Sequence, residues 1–262
     1  MNDLQLPDTV AVRIDGSVAV VEVRRPAKRN ALDDPTVLGL ERFFTDVPDG
    51  VRAVVLGGQG DHFCAGLDLS QLSERSVFEG VEHSRMWHRA LGSIENCRVP
   101  VFAVLKGAVI GGGLELASAA HVRVAEKSTQ YALPEGQHGL FVGGGASVRV
   151  PRLIGTARMM DMMLTGRRYD GVEGERIGLS QYVVDDGTGM ETASKLAESA
   201  AGISEVTNYA VLQVLPHINA ANPAEGYLLE SLIAGIAQGT DDAKARMQSF
   251  LTRKQSSSKA RT

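Results

Sequence analysis

An alternation constrains this chain more than any other feature. Through roughly its first 150 residues, short β-branched runs are each followed by a segment of helical period. Residues 10–13 and 18–23 are strand-like and flank Asp15-Gly16, a pair that favours a tight hairpin. Asp34-Pro35 opens a helix, with Asp as cap and Pro in the first turn, and Leu38, Phe43, Phe44 and Val47 supply its apolar face. Residues 51–56 read as a strand ending in Gly57-Gly58, and a Gly/Asp-rich loop follows through Gly66. Val77, Val81, Trp87, Leu91 and Ile94 recur at helical spacing and predict a helix over 76–96. A buried-type strand over 100–105 comes next, then Gly111-Gly112-Gly113 and a helix over 114–120. Strands over 121–125 and 129–133 precede Pro134, and Gly143-Gly144-Gly145 leads a second helix to about residue 153. Beyond Thr156 the pattern is helical (156–164, 172–178, 189–202, 205–215, 224–238, 241–253), with one strand over 182–185. These patterns predict an α/β core with an appended helical region, without repeat or low-complexity linker.

A chain of 262 residues can bury about 70% of its unfolded surface, so it needs neither disulfide nor metal staples. With 44% apolar and 22% charged residues it is neither collagen-like, coiled-coil nor disordered. Its 27 basic and 31 acidic residues give a net charge of −4, which lacks the basic footprint of a nucleic-acid binder. Cys64 and Cys97 are too few for a disulfide framework or a four-cysteine zinc site; small buried hydrophobes in a reducing compartment are expected. A reactive thiol at Cys64 has no sequence-adjacent activator. The acidic first eight residues lack a signal peptide's base and apolar core, and no apolar run approaches ~18 residues, so a cytoplasmic protein without a membrane span is expected. Residues 255–262 form a polar tail carrying Lys259 and Arg261, read as a flexible terminus or as an element that touches an acyl carrier or phosphate.

Glycine is abundant, 29 residues, and it clusters. In Gly111-Gly112-Gly113-Leu114-Glu115 the glycines allow close backbone approach, and the first N–H groups of a helix have no internal partner and attract negative charge. A phosphate loop would carry Lys and Ser/Thr after the glycines, and a dinucleotide fingerprint is broken by Leu116. An oxyanion hole beside a carboxylate suits acyl chemistry better; tight helix–strand packing with Glu115 capping its own helix is the alternative. Glu135, twenty residues on, follows Leu133-Pro134. A strand returning beside the helix could bring both carboxyl groups to one water, where they could divide acid and base work with coupled titrations; alone, Glu135 reads as a surface turn acid.

Taken together, 25–32 (RPAKRNAL), 63–69 (FCAGLDL), 107–115 (GAVIGGGLE), Pro134-Glu135 and Leu164-Thr165-Gly166 resemble the crotonase superfamily of enoyl-CoA hydratases and isomerases, over about residues 10–254. The resemblance implies a spiral of repeated β-β-α turns in a core over 1–190, a helical trimerisation region over 191–254, and a homotrimer or dimer of trimers. It implies an acyl-CoA substrate with no separate cofactor, metal or nicotinamide, and backbone N–H groups of Leu67 and Gly112 as the oxyanion hole. Ala27, Ala65, Asp68 and Gly143 are implied along the CoA and substrate path. Glu115 and Glu135 stand at the hydratase spacing, where the pair holds water and the second Glu supplies a proton to Cα; the isomerase branch keeps only the second. Enoyl-CoA hydration is therefore the expected activity, with isomerase, hydratase-lyase and non-catalytic acyl-CoA binding as alternatives. After the second Glu, 142–150 keeps the family's glycine alignment but lacks its Pro. His138 replaces an aliphatic residue, as a structural or exposed His or a polar contact to the acyl group. Lys254 reads as solvated or as reaching a neighbour's CoA phosphate, and Met159, Met160, Met162 and Met163 as core, interface or acyl lining.

Overall fold

Asp15-Gly16 turns the chain sharply, with Gly16 at φ +59°, so that Val10–Asp15 (β1) pairs antiparallel with Val18–Val23 (β2). The computed structural model describes residues 5–71 and 76–259. Asp34–Thr45 (α1) leads to Ala53–Gly58 (β3), parallel to β2, and Val77–Glu95 (α2) to Val101–Leu105 (β4), parallel to β3. From here each turn uses two strands. After β4 come Ala108–Ile110 (β5) and Gly112–Ala119 (α3); after Val122–Glu126 (β6) come Gln130–Ala132 (β7), Ala146–Ile154 (α4) and Thr156–Thr165 (α5). Tyr169–Asp170 (β8), Gly171–Ile177 (α6), Tyr182–Val184 (β9) and Gly189–Ala201 (α7) complete the first of two compact units, residues 1–201. One sheet runs β1-β2-β3-β4-β6-β9, and a second, three-stranded sheet runs β5-β7-β8. This is the α/β spiral of strand–strand–helix turns that the resemblance implies.

The strand period of two separates two cores. Ala19, Val21, Val54, Leu56, Val101, Ala103 and Leu105 face the main core, while Val18, Val20, Ala53, Val55, Phe102 and Val104 face Ala193, Ala197 and Ala201. Those alanines, four residues apart, give α7 a small face that lies close on the sheet. β3 and β4 are buried throughout, as central parallel strands must be.

Two local details differ from expectation for identifiable reasons. The cap of α1 is Asp33, whose side chain accepts from Thr36 N; the Asp34 carboxylate instead meets His83 Nε2 at 2.8 Å. The helix expected over 205–215 is Glu205–Tyr209 (α8) followed by a π-helical turn, Ala210–Val214, ahead of Leu215–Ala220 (α9). Pro216, in the first turn of α9, lacks an N–H and cannot sit against the carbonyl four residues back, so the turn before it widens. Pro223–Gly239 (α10) and Asp241–Lys259 (α11) complete the second unit, residues 202–262. Among the described residues no helix is long and apolar enough to cross a membrane.

Candidate active site

The site begins where residues 64–68 are laid along β5. Cys64 bridges Val109, with Cys64 N donating to Ala108 O at 2.9 Å and Ile110 N to Cys64 O at 3.1 Å. Only glycine permits this approach at 113, because a Cβ there would lie 2.2 Å from Cys64 O. Gly111, at φ +54°, swings the chain from β5 into α3. A second bridge joins Leu32 to Leu67, with Leu32 N on Gly66 O and Asp68 N on Leu32 O, both 2.7 Å. Leu67 and Gly112 thereby become neighbours: a Cβ on Gly112 would sit 3.3 Å from Leu67 N, and one on Gly66 3.5 Å from Gly112 N. Among the described residues neither amide donates to a backbone carbonyl. Two adjacent free N–H groups, one at a helix start, are what an oxyanion hole requires.

Glu115 lies in the first turn of α3 and is 4% exposed. It does not cap that helix, which has no side-chain cap. Its Oε1 instead accepts from Gly144 N at 2.7 Å and Ala146 N at 3.1 Å, at the start of α4. The loop supplying these amides is gripped on both flanks. Ser84 Oγ, on α2, donates to Gly143 O at 2.6 Å. Arg149 donates to Gly144 O, and at 3.3 Å to both Ser118 Oγ and Glu95 Oε2. The Trp87 ring closes the same corner, 3.0 Å from where a Cβ on Gly144 would be and 3.2 Å from one on Gly112.

Glu135 opens a short 3-10 turn, Glu135–His138, after β7. Its Oε1 lies 2.7 Å from where a Cβ on Gly111 would stand, so it sits over the entrance to α3. Its Oε2 is buried with no hydrogen-bond partner among the described residues. Burial, and then the charge of Glu115, pushes Glu135 up to about 7. Burial also raises Glu115, but the Ala146 and Gly144 amides, Arg149 and His88 pull it back. Two close carboxyl groups thus sit in unlike surroundings: one held by amides and facing a cation, the other desolvated with an open oxygen.

The remaining expected residues take plainer places. Asp68 is clasped by Arg25 (2.7 Å), Lys28 (2.8 Å) and Ser70 (2.7 Å). Lys28 first, then Ser70 and Arg25, hold its carboxyl well below the usual range. With Arg25 also on the Ala31 carbonyl, and Asn30 on Gln59 O and His62 O, this clasp braces the 64–68 loop from beneath. Ala27 is exposed in the adjoining turn, and Ala65 is half-buried with its N–H on Arg29 O at 2.9 Å. Gly143 contributes the carbonyl that Ser84 holds, and His138 is exposed. Burial pushes the Cys64 thiol up to about 12, which makes it an inert packing residue. Met159 and Met162 are core, Met163 is partly buried against it, and Met160 is exposed. The Lys254 side chain and residues 260–262 lie outside the described residues. Among the described residues no cluster of His, Cys, Asp or Glu could hold a metal. Sequence reading did not single out Ser84 or Arg149, and it treated Trp87 only as part of an apolar stripe. For Ser84 the available signal was its place one turn before Trp87 on the same helix.

The family model described as enoyl-CoA hydratase/isomerase matches residues 13–260. A Bacillus subtilis (strain 168) relative named "Probable enoyl-CoA hydratase" is 31% identical over 94% of this chain and 97% of its own. The "Short-chain-enoyl-CoA hydratase" of Clostridium acetobutylicum is 28% identical over 94% of this chain and 96% of its own. A "Fatty acid oxidation complex subunit alpha" of Shewanella loihica is 41% identical, but over 58% of this chain, which spans about a fifth (22%) of that longer protein. Among solved structures, a candidate enoyl-CoA hydratase of Rhodopseudomonas palustris CGA009 superposes with a TM-score of 0.94 at 54% identity, covering 97% of this chain and 99% of the other.

Proposed function

The chain belongs to the enoyl-CoA hydratase/isomerase family, and from that premise we propose that it adds water across the 2,3 double bond of a 2-enoyl-CoA thioester to give a 3-hydroxyacyl-CoA. The observation that carries this reading is a pair of buried carboxyl groups in unlike surroundings, Glu115 held on two amides and Glu135 with an open oxygen, beside the Leu67 and Gly112 amides. In the proposed reaction the thioester oxygen rests on those amides and gathers negative charge as the bond to C3 forms. Donors aimed at such charge are worth ~3–4 kcal/mol each. Ionised Glu115 takes a proton from water as its oxygen bonds to C3, and protonated Glu135 gives its proton to C2. The two carboxyl groups end with their protonation exchanged, and a proton passing between them restores the starting state. CoA enters as part of the substrate; acid, base and charge stabilisation all come from the chain.

Isomerisation needs one carboxyl group to carry a single proton between carbons. A second carboxylate held on two amides, at the place where water would be activated, favours hydration instead. The apolar stripe Leu228, Leu232 and Ile236, exposed along α10, supports assembly as a homotrimer or a dimer of trimers. The net charge of −4 weighs against a nucleic-acid partner.

The test is loss of the conjugated-thioester absorbance when purified protein meets a panel of 2-enoyl-CoA esters in ¹⁸O water. Label at C3 marks hydration, and product without label marks isomerisation. If Glu135→Gln turns over as fast as wild type, the assignment of roles is wrong.

A further inference from the structure

Arg149 is 8% exposed, on the second turn of α4, and touches neither Glu135 nor the paired amides that would meet substrate. We propose that Arg149 is a positioning residue for the hydration reaction: it fixes the peptide unit between the two amides that hold Glu115, and its charge keeps that carboxylate the water-activating partner of the pair. The inference rests on the function proposed above.

The geometry has two parts. Gly144 O and the amides of Gly144 and Ala146 belong to three successive peptide units of one tight loop. With Arg149 on that carbonyl, the middle unit cannot rotate, and both flanking N–H groups stay aimed at Glu115 Oε1. Gly145, at φ +102° with its Cβ position 2.7 Å from Arg149, leaves room for the guanidinium directly beneath the loop. Arg149 also holds Ser118 Oγ, which donates to the Glu115 carbonyl at 2.8 Å, so one cation braces the carboxylate from the loop and from its own helix.

The second part is charge. Around Glu115, α2 brings His88, α4 brings Arg149 and the turn after β7 brings Glu135, while β5 brings no titratable side chain; Glu95 on α2 and Arg152 on α4 enter through Arg149. Glu95 is shared by Arg149 at 3.3 Å and Arg152 at 3.9 Å and is 39% exposed at its side chain. Arg149 is therefore the one buried cation in this set. It opposes burial, which favours the neutral carboxyl.

Three full-length variants test this by pH profiles of kcat/KM with a four-carbon 2-enoyl-CoA. Arg149→Met should lower kcat by about tenfold to a hundredfold with KM nearly unchanged, and should move the acidic limb of the profile to higher pH. Arg149→Lys restores charge without the planar fork, so the limb should return toward wild type while kcat stays depressed. Should Arg149→Met fail to fold, Glu95→Gln, at a half-exposed side chain, leaves more of the Arg149 charge uncompensated and should move the limb to lower pH. A limb that stays at the wild-type position in the folded variants makes Arg149 purely structural and overturns the inference. Wild-type protein that consumes no enoyl-CoA overturns the hydratase reading itself, a separate and recognisable failure.

Discussion

Ser84 and Glu115 hold opposite edges of one peptide unit. The Ser84 hydroxyl donates to Gly143 O at 2.6 Å, and the N–H on the other side of that trans peptide, Gly144 N, donates to Glu115 Oε1 at 2.7 Å. A side chain on α2 thereby sets the angle at which the Glu115 carboxylate on α3 is held. Ser84→Ala should cost about 1 kcal/mol of stability, the worth of one such hydrogen bond. It should lower kcat by about tenfold, because a mispositioned base loses most of its general-base contribution. Thermal melts and steady-state kinetics check both, and a kcat within about twofold of wild type would show that other contacts fix the peptide.

The raised Glu135 predicts the same sign for activity and stability, both falling as pH rises. The proposed mechanism uses protonated Glu135, so kcat/KM should fall as pH rises through about 7. For stability, the folded value of about 7 lies above the ordinary 4.5, so the folded chain retains a proton that the unfolded chain releases between these values. Wild type should therefore lose stability as pH rises through that window, and Glu135→Gln should not. The Tm of the variant relative to wild type should climb from pH 4.5 to pH 7.5. A flat difference would mean that Glu135 is well solvated in the folded protein.

Much of this site was legible because its chemistry depends on main-chain geometry that only certain residues permit. Gly111, Gly112 and Gly113 pointed to a helix start approached closely by backbone, and the Cβ positions at Gly112 and Gly113 give each glycine its own reason. Glu115 and Glu135 were visible by their spacing around a strand. Of the second sheet only β7 was legible, as the strand over 129–133; β5 and β8 are three residues or fewer and too short to show a period. Ser84 was hidden because a serine between His83 and Arg85 reads as a helix surface; only the loop that packs on it shows what it binds. Asp68 was placed along the CoA path by resemblance alone, with a loop hydrogen bond as the alternative, and its carboxylate is taken up by Arg25 and Lys28, a pairing across some forty residues that no local pattern reveals.

The neighbouring glycines should fail in different ways. A Cβ at 113 would lie 2.2 Å from Cys64 O and 2.9 Å from its carbonyl carbon, both main-chain atoms that cannot yield without moving β5. Gly113→Ala should destabilise by several kcal/mol, on the order of 3 or more, as overpacking against backbone does. At 112 the contacts are 3.2 Å to Trp87 and 3.3 Å to Leu67 N, so Gly112→Ala should fold and instead crowd the amide pair. Its kcat should drop about a hundredfold, the scale of losing one oxyanion donor. Equal melting temperatures for the two variants would refute this contrast.

His121 should make the protein acid-labile in a defined window. Its Nδ1 accepts Val101 N at 2.9 Å and its Nε2 lies 3.1 Å from Glu95 O, so the neutral tautomer with hydrogen on Nε2 satisfies both partners. A protonated ring would set an N–H against the Val101 N–H. Burial above all lowers its value from 6.5 to about 4, outweighing the hydrogen bond to Glu95. The unfolded chain therefore takes up this proton near 6.5 and the folded chain only near 4, so the stability is complete above pH 6.5 and lost progressively toward pH 4. The full effect is roughly 3 kcal/mol, at 1.36 kcal/mol for each pH unit between the two values. His121→Asn retains an acceptor for Val101 without a titrating ring. It should be less stable than wild type at pH 7.5, with the gap narrowing as pH falls to 4.5. Denaturant melts of both proteins across that range decide the matter, because a gap independent of pH would place the proton elsewhere.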